Sequence, residues 1–168
     1  MRLGQNPAKF VDHVHKPQPI TVAVLTYVPF LSGYFATYLD VVKACLRSIW
    51  ENTDLPYELL VFDNGSCQEL LDFLRDSQHE GWIHYLMLSK QNLGKGGAWN
   101  VMFQAAPGEV VAYADSDALF YPGWLSRSME ILETFPNVGM VTSRPFRTRD
   151  RLTTATVAWA ERDQDAKR

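Results

Sequence analysis

The chain has 168 residues, 46% of them apolar and 21% charged, and carries a net charge of −3. That length and composition suit one globular domain with a sizeable core, and the acidic balance argues against a nucleic-acid surface, which is typically basic. No apolar run reaches a membrane span, Met1 to Lys16 lacks the apolar centre of a secretory leader, and Cys45 and Cys67 are too few for a disulfide framework. A reducing cytosol is the default, with peripheral attachment at the cytoplasmic face of a membrane left open.

Residues 1–19 read as an extended lead-in that closes on Pro17 and Pro19. Ile20 to Thr26 is rich in β-branched residues and predicts a buried strand. A long aromatic connection follows, with Pro29 and Gly33 inside it. From Tyr38 the apolar positions Val42, Cys45, Leu46 and Ile49 recur at helical spacing, and Asp54 and Pro56 end the pattern. Glu58 to Phe62 predicts a second strand, closed by Asp63-Asn64-Gly65-Ser66. Ser66 with Glu69 fits a capping box for a helix carrying Leu70, Leu71 and Leu74. Ile83 to Leu88 predicts a third strand. The glycine-rich Gly94-Lys95-Gly96-Gly97 opens a helix with Ala98, Val101, Met102 and Ala105, which Pro107-Gly108 ends. Val110 to Ala114 predicts a fourth strand, followed by Asp115-Ser116-Asp117. After Tyr121-Pro122-Gly123-Trp124 comes a helix with Leu125, Met129, Ile131 and Leu132, broken at Pro136-Asn137. Val138 to Thr142 predicts a last strand. Leu152 to Ala160 fits an isolated strand or short helix, and 161–168 a frayed charged tail. Strands alternating with helices give an α/β fold with a mainly parallel sheet, whose strand carboxyl ends share one edge.

That edge gathers the chemistry. In extended chain, residues i and i+2 point the same way, so Asp115 and Asp117 face one site. Neighbouring carboxylates repel unless a cation sits near them, and oxygen ligands of this kind suit Mg²⁺ or Mn²⁺ with substrate phosphates completing the shell. Taken alone, Asp-Ser-Asp after a strand is more often turn or capping chemistry than a metal site. The turn reading also leads for Asp63 before Asn64-Gly65. The Lys95 glycine stretch places a mobile positive charge at a helix N-terminus, where anions bind. It matches neither a nucleotide-triphosphate loop nor a dinucleotide fingerprint, and a plain connector is its bland alternative. Trp124 reads as a hydrophobic anchor before a sugar-stacking wall. His13 and His15 read as solvated, His84 as a satisfied strand residue, Cys45 as core, and Cys67 as unremarkable.

The ordered series is a strand ending Thr26-Tyr27, a strand ending Asp63-Asn64-Gly65-Ser66, Asn92 to Asn100, Asp115-Ser116-Asp117, and Pro122-Gly123-Trp124-Leu125. It resembles the nucleotide-binding half of a family 2 glycosyltransferase with the GT-A fold. The resemblance implies a Rossmann-like three-layer α/β/α domain over 20–146, with 147–168 a partial extension or tail. It also implies a metal-dependent transfer of sugar from a nucleotide-diphosphate donor to an acceptor hydroxyl, with inversion, in cell-envelope polysaccharide synthesis. By resemblance, Thr26 and Tyr27 line the base pocket, and Asp63 accepts from a pyrimidine N3–H, which favours uridine or thymidine donors. Asn92 and Lys95 run beside the donor. Asp115 meets ribose or the metal, and Asp117 is the direct Mn²⁺ or Mg²⁺ ligand. The acceptor, whether glycan, lipid or protein, is not indicated, and nucleic acid is not expected.

The sequence departs from the family where Val28-Pro29-Phe30 begins a longer aromatic loop. The family's acceptor half and general base lie beyond the residues matched, and Glu161, Asp163 and Asp165 resemble a solvated terminus instead. The alternative is therefore a non-catalytic nucleotide-sugar or metal-binding module. A sugar nucleotidyltransferase calls for a glycine- and arginine-rich loop where Tyr27 to Phe30 stands. A dehalogenase-like phosphatase calls for the Asp pair at the first strand, with Thr or Val where Leu119 stands.

Overall fold

The computed structural model describes residues 4–11 and 13–143. They fall into two compact units, one up to Arg127 and one from Ser128. The extension expected over 147–168, with its Leu152 to Ala160 element, lies outside the described residues.

The first unit is built on a four-stranded parallel sheet of β1 (Ile20–Thr26), β2 (Glu58–Asp63), β3 (Tyr85–Leu88) and β4 (Val110–Asp115), in the order β3-β2-β1-β4. The helices between them are α1 (Tyr38–Asn52), α2 (Gln68–His79) and α3 (Gly94–Ala105). Side chains alternate across the sheet. Val22, Val24, Leu59 and Val61 pack with Val42, Cys45, Leu46 and Ile49 of α1 and Leu70 and Leu74 of α2. Ala23, Leu60 and Phe62 meet Ala98 and Met102 of α3 on the opposite face. The result is three layers, α/β/α. Strands covered on both faces read as continuous apolar runs, which is why β1 and β2 stand out in the sequence. Each fully buried aliphatic side chain here contributes about 1.5–3 kcal/mol.

A fourth helix, α4 (Trp124–Thr134), follows the sheet. Its first turn is fixed inside the first unit. The Ser126 hydroxyl donates to Asp54 at 2.6 Å, and the Trp124 indole donates to Thr53 at 3.1 Å. Trp124 also packs against Phe120, with ring centroids 4.5 Å apart, so it is the hydrophobic anchor of this helix.

Three expectations change. Val138 to Thr142 pairs with no strand among the described residues; Asn137 turns with φ 65°, and Met140 beyond it stays 79% exposed. An apolar run forms a strand only where a partner strand accepts it. Ser66 does not cap α2: Cys67 holds the cap position without a side-chain bond, while the Ser66 hydroxyl accepts from the Val28 amide at 2.9 Å. That amide leaves β1 beside the β2 loop and would otherwise go unpaired. β3 begins at Tyr85 rather than Ile83. The His84 amide bonds the Leu59 carbonyl, and its Nδ1 accepts from the Leu59 amide at 3.0 Å. Among the described residues no helix is long and apolar enough to cross a membrane.

Candidate functional site

Strand order reverses between β1 and β4, and in open parallel sheets ligands bind at such a switch point, outside the strand carboxyl ends. Here Thr26 pairs with Asp63, and Leu25 pairs with Asp115. Asp63 is wholly buried. Its Oδ1 accepts from the Thr26 hydroxyl at 3.0 Å, and its Oδ2 accepts from the amides of Gly65 at 3.1 Å and Ser66 at 3.0 Å. The Asn64 amide bonds the Thr26 carbonyl, and the Cys67 amide bonds the Val28 carbonyl, so the loops after β1 and β2 are stitched together. Asn64 ties in the third loop. Its Oδ1 accepts from the Leu93 amide at 2.8 Å, and its Nδ2 donates to Asn92 Oδ1 at 3.0 Å.

A cleft of about 350 Å³ opens above this platform, walled by Tyr27, Tyr38, Asn64, Asn92, Lys95, Asp115 and Asp117. Asp115 and Asp117 are exposed and Ser116 between them is buried, so both carboxylates face the cleft side. Each accepts from a tyrosine: Asp115 from the Tyr113 hydroxyl, and Asp117 from Tyr38 at 3.2 Å. Lys95 Nζ lies 2.9 Å from Asp115 Oδ1 and 3.0 Å from Oδ2. Partial burial works to raise the Asp115 carboxyl, but the Tyr113 hydroxyl and the Lys95 ammonium outweigh it and hold the group below its ordinary value. Burial, and then Asp117, push the Tyr38 hydroxyl up to about 12. Burial and the bond to Asp115 raise Tyr113 likewise. Both tyrosines therefore stay protonated donors at neutral pH.

Two exposed carboxylates fit a hard divalent cation that takes its remaining oxygens from phosphates and water. Among the described residues no cluster of three or more His, Cys, Asp or Glu forms an all-protein cage.

The structure thus brings Tyr27, Asn92, Lys95, Asp115 and Asp117 to one cleft. Thr26 and Asp63 lie beneath it without exposed surface, bonded to each other. Three residues of the site were not found by sequence reasoning: Tyr38 and Tyr113, which orient the carboxylates, and Asn64, which links two loops. His15, expected to be solvated without an acidic partner, bonds the Glu58 carboxylate. His13 is exposed, and Cys45 is core.

The sequence pattern of glycosyl transferase family 2 matches residues 34–165. The chain belongs to that family. Among its relatives is an uncharacterized glycosyltransferase of Nostoc sp., 32% identical over 112 residues, which takes in 66% of this chain and 34% of the relative. The family 2 chain therefore spans about a third of that protein's length. In fold it is similar to a mannosyltransferase from Pyrobaculum calidifontis, solved with GDP-Man and Mn²⁺, with a TM-score of 0.60 at 27% identity over 78% of this chain and 37% of that one. It is also similar to S. aureus TarS 1–349, solved with UDP-GlcNAc, with a TM-score of 0.56 at 20% identity over 78% of this chain and 39% of that one. The second likeness speaks for the fold alone, and both agree with the GT-A reading.

Proposed function

We propose that this family 2 chain binds a nucleotide-diphosphate sugar together with Mn²⁺ or Mg²⁺ in the β1–β4 cleft, as the donor half of an inverting glycosyltransferase. The observation that carries the reading is that Asp115 and Asp117 line one cleft at the switch point, together with Tyr27 and with Lys95 bonded to Asp115. In this reading Asp117 is the direct metal ligand and Asp115 the second ligand or the ribose contact. Tyr27 stacks on the base, and Asn92 and Lys95 flank the diphosphate and sugar. Thr26 and Asp63 form the floor of the base end. Because the Asp63 oxygens already serve the protein, the part proposed for it is to shape that floor rather than to meet the base directly. The mannosyltransferase neighbour is recorded with a guanosine donor and Mn²⁺, which supports a metal-bound nucleotide sugar. It leaves uridine and guanosine to be compared directly.

Departure of a nucleoside diphosphate builds negative charge on its phosphates, and a divalent cation supplies the countercharge. The chain's own residues hold that cation and the donor. Asp115 and Asp117 are not proposed as the base that activates the acceptor hydroxyl.

Isothermal titration of UDP and GDP, with and without Mn²⁺, tests the reading on wild type and Asp117→Ala. Loss of a ligand should weaken metal-dependent nucleotide binding at least about 10- to 100-fold, the cost seen even for residues that only support a ligand. Metal-independent binding that survives Asp117→Ala would sink the metal role. Donor binding with neither hydrolysis nor transfer to any acceptor would favour a binding module over an enzyme.

A further inference from the structure

Lys95 is held with unusual definition for a half-exposed lysine. Its Nζ sits within 3.0 Å of both oxygens of Asp115, and it lies 5.2 Å from the centroid of the Trp99 ring and 5.9 Å from that of Tyr113. Asp117 is held differently, by the neutral Tyr38 hydroxyl. The carboxylate pair is therefore asymmetric: a fixed ammonium already neutralises one member.

We infer that Lys95 is a resident counter-ion for Asp115, displaced when a divalent cation takes the carboxylate pair and then free to serve the diphosphate. The inference rests on the donor-site reading above. A cation at Asp115 and the ammonium at the same oxygens repel each other, so one must leave. The lysine can, because its charge rides on a flexible four-carbon stem whose side chain is 52% exposed. It springs from the first turn of α3, so a displaced ammonium remains beside the helix N-terminus, a setting that favours an anion. Lys95 thus exchanges a carboxylate for a phosphate. Two consequences follow from linkage. Lys95 lowers the affinity for cation alone, and it raises the coupling between cation and diphosphate, because binding of either draws it off Asp115 or holds it away.

The test titrates the full chain with Mn²⁺, alone and in the presence of UDP, for wild type, Lys95→Met and Lys95→Arg. An exposed ion pair of this kind predicts that Lys95→Met tightens Mn²⁺ binding in the absence of nucleotide about three- to fivefold. It should lower by a similar factor the extent to which UDP tightens Mn²⁺, while Lys95→Arg keeps both values near wild type. Unchanged or weaker Mn²⁺ binding in Lys95→Met overturns the inference, and so does an unchanged coupling factor with UDP. If neither wild type nor Lys95→Met binds Mn²⁺, the inference and the metal role fall together. If Lys95→Met tightens Mn²⁺ but no form binds UDP, the donor reading falls and the competition between Lys95 and cation stands.

Discussion

At the scale of single residues, Asp63 works inward. A buried carboxyl group that accepts from Thr26, Gly65 and Ser66 satisfies three donors at the point where two loops cross. Asp63→Asn turns an amide NH₂ towards a hydroxyl or backbone N–H that needs an acceptor. We expect a loss of about 1–3 kcal/mol of stability, read as a lower urea midpoint at unchanged slope. Part of this was legible: an acidic residue closing a buried strand before Asn-Gly is readable as a turn in the sequence. The partners were not. Tyr38 reaches Asp117 across 79 positions, and Asn64 reaches Leu93 across 29. No local pattern marks a tyrosine in a helix's first turn as the donor to a distant carboxylate. Asp115 and Asp117 stood out because extended chain puts i and i+2 on one side, yet β4 ends at Asp115 and it is the turn at Ser116-Asp117 that leaves both carboxylates exposed around a buried Ser116.

At the scale of elements, the loops carry the site and the strands hold the loops. Gly65 shows how close they come. It has φ +90°, and a Cβ there would lie 3.1 Å from the Asn92 amide nitrogen. Gly65→Ala meets both a left-handed backbone and a neighbouring main chain that bonds to Asn64. The expected cost is about 1–3 kcal/mol, with nucleotide binding weakened beyond what stability explains, because the Asn92 end of the cleft is pushed outward. Thermal melts alongside nucleotide titration separate the two effects. The elements themselves were largely readable, since burial on both faces forces β1 and β2 into β-branched and leucine-rich runs. Val138 to Thr142 has the same look and forms no ladder among the described residues, because composition reports burial preference and not strand pairing. Ser66 fails as a cap for a related reason: a hydroxyl serves whichever amide is unpaired nearest to it, and here that amide came from Val28.

At the scale of the molecule, the lead-in is clipped to the end of the sheet away from the cleft. Glu58 opens β2, is nearly wholly buried, and accepts from Tyr85 at 3.0 Å while it pairs with His15. Burial works to raise its carboxyl, but the bonds from His15 and Tyr85 win and hold it below the ordinary value. A depressed carboxyl stabilises the fold above its unfolded value and loses that contribution as pH falls through the folded one. The melting temperature of wild type should therefore fall towards that of Glu58→Gln as pH is lowered from 7 to 3, with the gap between them widest at neutral pH. A constant gap would assign Glu58 a packing role only. The β3-β2-β1-β4 order has a further consequence during synthesis. β1 is an interior strand, and β4, which covers one of its sides, lies about 90 residues further along the chain, so the closure is late and entropically costly. Until β4 leaves the ribosome, β1 offers a bare row of amides and carbonyls beside apolar faces, the arrangement that templates pairing with a neighbouring chain. The strand that carries Asp115 is thus also the one that covers the open side of β1 in the nascent sheet.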